Sequence, residues 1–297
     1  NARNAFAVTR DKLKRNQSGG ILGVPVVKNK LFFFGGEQTT LLRSTPDDNI
    51  AYIPTPAMIA GDWTAISSPA CNGGRQINLR APFVSNRIDP SSFSPPALNL
   101  IKLKIFPATS DPCGLVHFGR RTDQDEHIVV SKVDYTWSEK HSMFSRYEFA
   151  RLDNPSEYDG VNILTARKAH NKNRAQSFVV GDTYLIGNST VSSFHGTIIR
   201  TLAEKGDQDY AFTLSDIGVK GIYLPPGFSK MMQVGVASGF NITTSMGTPG
   251  YTNSTGFQFS EDLSWVRGAH QIGFGANFID AGMNLLPSTS TPGNMSF

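Results

Sequence analysis

Short polar turns and long irregular connections alternate along this chain, and each short turn joins two stretches in which polar and apolar residues alternate. The turns are Lys28-Asn29-Lys30, Ser138-Glu139-Lys140-His141, Gly187-Asn188 and Arg267-Gly268-Ala269-His270. A period of two marks a strand whose two faces meet different surroundings, and two such runs about a tight turn make a hairpin. Hairpins are predicted on this basis over residues 17–42, 126–152, 174–201 and 255–281. Residues 43–125, 153–173 and 204–253 are the long connections, rich in Pro, Gly, Ser, Thr and Asn. A sheet built this way carries every short turn at one end and every long loop at the other. That is the arrangement of an outer-membrane β-barrel, with periplasmic turns and long extracellular loops.

Aromatic residues crowd the short turns, as the interfacial girdle of such a barrel requires. Candidates for the girdle are Phe32, Phe34, Trp137, Tyr184, Trp265 and Phe274. In the second hairpin Val129, Val133, Tyr135 and Trp137 share one face, and Lys132, Asp134 and Thr136 the other. In the fourth, Phe257, Phe259, Leu263 and Trp265 alternate with Gln258, Ser260, Asp262 and Ser264. Glu261 interrupts that apolar face, for which a bulge or a position near the barrel rim is the expected escape. The third hairpin alternates too weakly for its faces to be assigned. A soluble β-sandwich would show the same alternation, and the aromatic face beside each turn favours lipid.

Composition is compatible with this reading and narrows it. No window approaches the roughly 18 consecutive apolar residues of a membrane-spanning helix. A barrel wall needs none, because lipid-facing residues alternate with polar lumen-facing ones. With 28 Gly, 17 Pro and 20 Phe the chain reads as all-β with many turns. The formal charge of +4 is spread without a basic block, which argues against a nucleic-acid partner. There is neither an initiating Met nor a signal stretch, and the chain reads as an excised segment.

The connection over residues 43–125 is far longer than an ordinary structureless loop and is expected to have substructure of its own. Thr55-Pro56-Ala57-Met58 and Ser94-Pro95-Pro96-Ala97-Leu98 each set a capping hydroxyl before a proline, which predicts two short helices. In the connection over residues 204–253, the β-prone stretch at residues 221–224 is expected to extend strands above the membrane.

Several segments resemble the Oar-like branch of the TonB-dependent outer-membrane receptors. They are residues 1–7 (NARNAFA), 15–38 (RNQSGGILGVPVVKNKLFFFGGEQ), 53–64 (IPTPAMIAGDWT), 86–103 (NRIDPSSFSPPALNLIKL), 132–149 and 264–278. Ser18 stands where the family pattern has an aromatic, and Val24 where it has glycine. The resemblance implies a transmembrane antiparallel β-barrel of about 22 strands, of which this chain supplies about eight, from the N-terminal part that follows the plug. It also implies that plug and regulatory domains lie outside the sequence, and that the TonB complex is engaged through that plug. The implied function is import of a ligand such as a glycan, peptide or metal chelate at the bacterial outer membrane. Outer-membrane lipid and lipopolysaccharide are the implied surroundings. The alternative from another class is a secreted β-sandwich that binds carbohydrate or mediates adhesion.

Cys71 and Cys113, the only cysteines, both lie in the first long loop. In an oxidising extracellular setting they are expected to form a disulfide, with two free thiols as the alternative. Trp63, Arg75, Arg80, Phe83 and Arg87 stand close to this loop's cysteines in sequence and are the candidate ligand-binding residues, since aromatic and Arg side chains are the common anchors of recognition surfaces. The six histidines show no metal-ligand spacing, and Gly19, Gly20 and Gly23 lack the following helix and Lys of a phosphate loop. No nucleophile or tuned carboxylate pair is apparent, so no enzymatic activity, metal or cofactor is expected.

Overall fold

The computed structural model describes residues 10, 12–46, 49–206, 212–223, 226, 233–243, 249–287 and 294–297. Residues 1–7, which carry part of the family resemblance, lie outside the described residues, as does Leu224. The first hairpin is β1 (Lys12–Val27) and β2 (Leu31–Thr45). The long connection after it holds β3 (Asn49–Tyr52), helices α1 (Pro56–Ile59) and α2 (Pro95–Lys102), and β4 (Leu115–Phe118). Then follow β5 (Thr122–Ser138) with β6 (His141–Asn154), and β7 (Asn171–Ile186) with β8 (Thr190–Lys205). Short strands β9 (Gln233–Gly235) and β10 (Asn241–Thr243) precede the last hairpin, β11 (Gly250–Arg267) and β12 (His270–Leu286), and β13 (Met295–Ser296) follows it.

Eight of these strands form one sheet in the order β1-β2-β5-β6-β7-β8-β11-β12, each antiparallel to its neighbours. The sheet is not closed: β1 and β12 are its two edges and are exposed along their whole length. Asn29, Gly187 and Gly268 turn the chain at φ of 58°, 66° and 60°, the left-handed region that Asn and Gly enter at least cost. At their far ends the hairpins run several residues beyond the bounds read from sequence. Those extensions, such as Lys12 to Arg15, are short and hold few apolar residues, too few to set a period.

Cross-strand register assigns the faces, since directly opposed residues point the same way. One row across the sheet reads Val24, Phe33, Val133, Ser145, Val180, Gly196, Phe259 and Phe278. Its neighbouring rows on the same face add Leu22, Tyr147, Phe178, Ile198 and Phe257 on one side and Tyr135, Met143 and Phe194 on the other. The opposite face carries Gln38, Lys132, Arg146, Ser177, His195, Gln258 and Asn277.

Exposure follows chemistry in the reverse of the soluble-protein sense. Phe178 and Val180, on the apolar face, are 43% and 37% exposed, while Val179 between them on the polar face is 9% exposed. A sheet in water hides its apolar face, so a sheet that turns it outward is built for hydrocarbon. No helix among the described residues is long and apolar enough to cross a membrane.

Three expectations need correction. Phe32 and Phe34 oppose Asp134 and Lys132 and so lie on the polar face; Phe33 is the member of that run on the apolar one. Of the two escapes expected for Glu261 the bulge is absent, since the residue sits in unbroken register with Phe194 and Ala276, and its Oε1 accepts a 2.5 Å hydrogen bond from Ser192. Residues 221–223 are irregular rather than strand.

Candidate functional site

All long connections leave the sheet at the end opposite the short turns, and there they pack into a cap that holds the chain's buried hydrophobic cluster. Ile53, Ile105, Val116, Ile163, Leu164, Leu214 and Ile242 belong to it, and none lies in the eight-stranded sheet. Backbone hydrogen bonds tie one connection to another: Tyr52 N donates to Gly239 O at 3.0 Å, and Ile163 N to Ile105 O at 2.8 Å. The Arg120 guanidinium reaches Asn49 Oδ1 at 2.6 Å and Leu164 O at 3.3 Å. After β12 the chain returns to the cap, where β13 pairs parallel with β9. Each tie joins segments far apart in sequence, so the cap is one folded unit rather than a set of independent loops.

The capping pattern read from sequence starts both helices. Thr55 Oγ1 accepts from Met58 N and Ser94 Oγ from Ala97 N, each at 3.3 Å, with proline in the first turn of both. Cys71 and Cys113 form a disulfide with a Cα–Cα distance of 5.4 Å. Closing a loop of 42 residues is worth about 4 kcal/mol on the chain-entropy account. Asp111 prepares the second cysteine, its Oδ1 accepting from Cys113 N at 2.8 Å and from Leu115 N at 3.1 Å, which leads the chain into β4.

Between α1, α2, the disulfide and the turn at residues 236–240 lies a cavity of about 650 Å³. Met58, Ile59 and Trp63 form one wall, Phe93, Ala97, Leu98 and Ile101 another, and Phe240 closes the third side. The lining is mainly apolar, and Asn72 on its wall spends its amide on Ile66 O and Ser68 O at 2.7 and 2.9 Å. Trp63 is fixed by its own hydrogen bond, Nε1 to Met58 O at 3.1 Å, and by the Phe83 ring packed edge-on at 5.5 Å. The volume and lining are those of a small-molecule pocket.

Of the candidate binding residues, Trp63 lines the cavity together with Cys71 and Cys113, and Phe83 supports Trp63 from behind. Arg75, Arg80 and Arg87 are exposed and do not line it. Arg87 instead pairs with Asp62 at 3.2 Å, where the two backbones also form an antiparallel bridge. The Thr64 hydroxyl and backbone N–H, and then Arg87, hold the Asp62 carboxyl below the ordinary carboxylate range. Arginine composition therefore pointed to exposed positions outside the cavity, whose lining is mainly apolar. Ala97, Leu98 and Ile101 were findable, because the cap at Ser94 defines a helix whose spacing of three and four puts them on one side. Phe240 was not, for it arrives from a different connection.

At the short-turn end of the apolar face, Trp137 packs against Tyr135 at 5.9 Å, and His141 sits 5.1 Å from the Tyr184 ring while bonding Asp182 at 2.9 Å. Trp265 and Phe274 continue this row, with the Arg267 guanidinium 5.8 Å above the Trp265 ring.

The family model described as outer membrane beta barrel domain matches residues 1–297. Neither curated proteins nor solved structures yield a match. The match over the whole chain agrees with a sheet whose apolar face is turned outward, and it sets aside the secreted β-sandwich. This chain belongs to the outer membrane β-barrel domain family, and its place is the bacterial outer membrane.

Proposed function

We propose that this chain is part of the barrel of a TonB-dependent outer-membrane transporter of the Oar-like branch, and that its cap captures the imported ligand. The observation that carries the proposal is the folded cap at one end of an outer-membrane sheet, with an open apolar cavity pinned by a disulfide. A pore for small solutes has no use for such a receptor surface, whereas capture of a scarce ligand does. A disulfide-limited cap also lowers the ordering cost of binding. In this reading further strands join β1 and β12 to close a barrel of about 22 strands around a plug. The long connections face outward, the lumen passes the ligand, and the TonB complex acts through the plug. No covalent chemistry is required of the chain.

The test is deletion of residues 71–113 from the full-length receptor in living cells. Surface binding and energised uptake are followed over a panel of glycans, peptides and metal chelates, with heat-modifiable migration reporting barrel assembly. Loss of binding and uptake with the barrel intact is expected. Unchanged uptake with the segment gone would reduce the cap to a cover for the barrel mouth.

A further inference from the structure

The ligand chemistry of the cavity beside the disulfide follows from what its walls lack. Among the described residues no Asp, Glu, Lys, Arg or His lines it. Asp62, next to Trp63 in sequence, is not on the lining and is spent on the Thr64 hydroxyl at 2.6 Å and on Arg87 at 3.2 Å. The polar side-chain donors of the walls are largely spent too, Trp63 Nε1 on Met58 O and the Asn72 amide on two carbonyls. What is left for a ligand is the Asn72 side-chain carbonyl and the hydroxyls of Tyr52 and Ser238, which have no partner among the described residues. Aromatic rings, by contrast, come from three sides, as Trp63, Phe93 and Phe240. Two of them are braced by rings that do not line the cavity, Trp63 by Phe83 and Phe240 by Phe106, the second pair edge-on at 4.9 Å. Met58, a side chain that ordinarily adapts, is tied through its Sδ to Thr55 N at 3.5 Å.

A charged ligand would give up its hydration here to walls that return no counter-charge, and a glycan would leave most of its hydroxyls unpaired. An aromatic ring gives up little water and gains stacked or edge-on contact from the rings around it. We propose that the cavity takes an uncharged small molecule built on an aromatic ring system, and not a glycan or an ionic metal chelate. The inference rests on the reading above that the cap captures the imported ligand, and it narrows that ligand's chemistry. The turn at residues 236–240 supplies a readout. It is closed by Val236 N to Phe240 O and by Gly239 N to Val236 O, each at 2.9 Å, and is joined to β3 by Tyr52 N to Gly239 O at 3.0 Å. A ligand seated between this turn and α2 bridges two separate connections, and so protects amides of both from exchange.

The experiment uses the receptor that carries this chain, assembled in lipid nanodiscs. Amide hydrogen exchange at residues 97–101 and 236–240 is followed while N-phenylnaphthylamine, its sulfonated analogue anilinonaphthalene sulfonate, or maltotriose is titrated in. Exchange at these residues separates binding in the cavity from partition of the probes into lipid. Both segments are expected to slow with the neutral probe, at concentrations roughly tenfold or more below those the sulfonate needs. Maltotriose should change neither segment, and β7 and β8 should not respond to any probe. Ala97→Trp, which fills the cavity from α2, should abolish the protection. Ile101→Lys supplies the missing charge and should reverse the order of the two naphthyl probes, and it serves alone if Ala97→Trp fails to assemble. Equal protection by the neutral and sulfonated probes, protection by maltotriose, no protection by any probe, or a wild-type response from Ala97→Trp overturns the assignment. Energised uptake of the neutral probe by cells with and without residues 71–113 tests capture separately. Selective protection with unchanged uptake removes the capture reading and leaves the ligand class of the cavity, while lost uptake without selective protection removes the ligand class alone.

Discussion

Phe259 and Asn277 show how much of the chemistry is decided by which way one side chain points. Phe259 opposes Gly196 and Phe278 in the middle row of the apolar face, and Asn277 lies on the other face, where its Oδ1 accepts from Gln258 Nε2 at 3.1 Å. Arginine at Phe259 would place a charge in hydrocarbon, and Phe259→Arg is expected to cost about 2–4 kcal/mol. Asn277→Arg faces a polar lumen and should be tolerated. Denaturant titration of the barrel assembled in lipid vesicles checks both, and equal cost at the two positions would contradict the assignment of faces. The polar face also has its own packing rule. Phe144 lies across Gly181 toward His195, with its ring 5.9 Å from the imidazole and Lys132 Nζ 5.2 Å above it. No side chain fits at Gly181 beneath that ring, so the glycine is there for the aromatic and not for a turn.

At the scale of elements, the sheet and the cap were legible to different degrees for a physical reason. Strand pairing is a local, periodic constraint, so the hairpin turns at Asn29, Glu139, Gly187 and Gly268 could be read from alternation and turn chemistry. Faces were legible where alternation was strong, as at Tyr135 and Phe259. They failed at Phe32 and Phe34, because three consecutive phenylalanines carry no period. In the cap the helix starts at Thr55 and Ser94 were visible, since capping is local. The partner of Tyr52 at Gly239, and Phe240 in the cavity wall, depend on contacts between separate connections and leave no short-range trace. The disulfide joins these two regimes, because it fastens the turn-rich segment at Cys71 to the foot of β4. Replacing both cysteines by serine is expected to lower the local stability of the cap by up to about 4 kcal/mol and leave the sheet intact. Amide hydrogen exchange should then speed up in β3 and β4 and stay unchanged in β7 and β8. Unchanged exchange in β3 and β4 would mean that the cap's buried cluster holds it without the bond.

For the whole molecule the deciding fact is where its hydrophobic burial lies. The buried cluster belongs to the cap, and the apolar face of the sheet is exposed. In water such a surface is a cost, since each exposed Phe, Ile or Val forgoes the gain that burial would bring. The two edges add a second cost. β1 and β12, of 16 and 17 residues, each present a row of backbone donors and acceptors with no strand beside them among the described residues. Lys12, Lys14 and Arg15 guard one end of β1, but its middle at Gly19, Gly20 and Gly23, like Gly273, Gly275 and Gly282 in β12, has no bulky or charged cover of the kind that blunts natural edges. Both costs vanish in a closed barrel within a bilayer, where lipid meets the apolar face and further strands complete the ladders. The 297 residues expressed by themselves in aqueous buffer are therefore expected to self-associate through the edges and the apolar face, and to be kept dispersed only by detergent. Sedimentation and light scattering with and without detergent measure this, and a denaturant melt reports cooperativity. A detergent-free monomer that unfolds in one cooperative step would require a hidden apolar face and satisfied edges, and would overturn the reading of this sheet as a barrel wall.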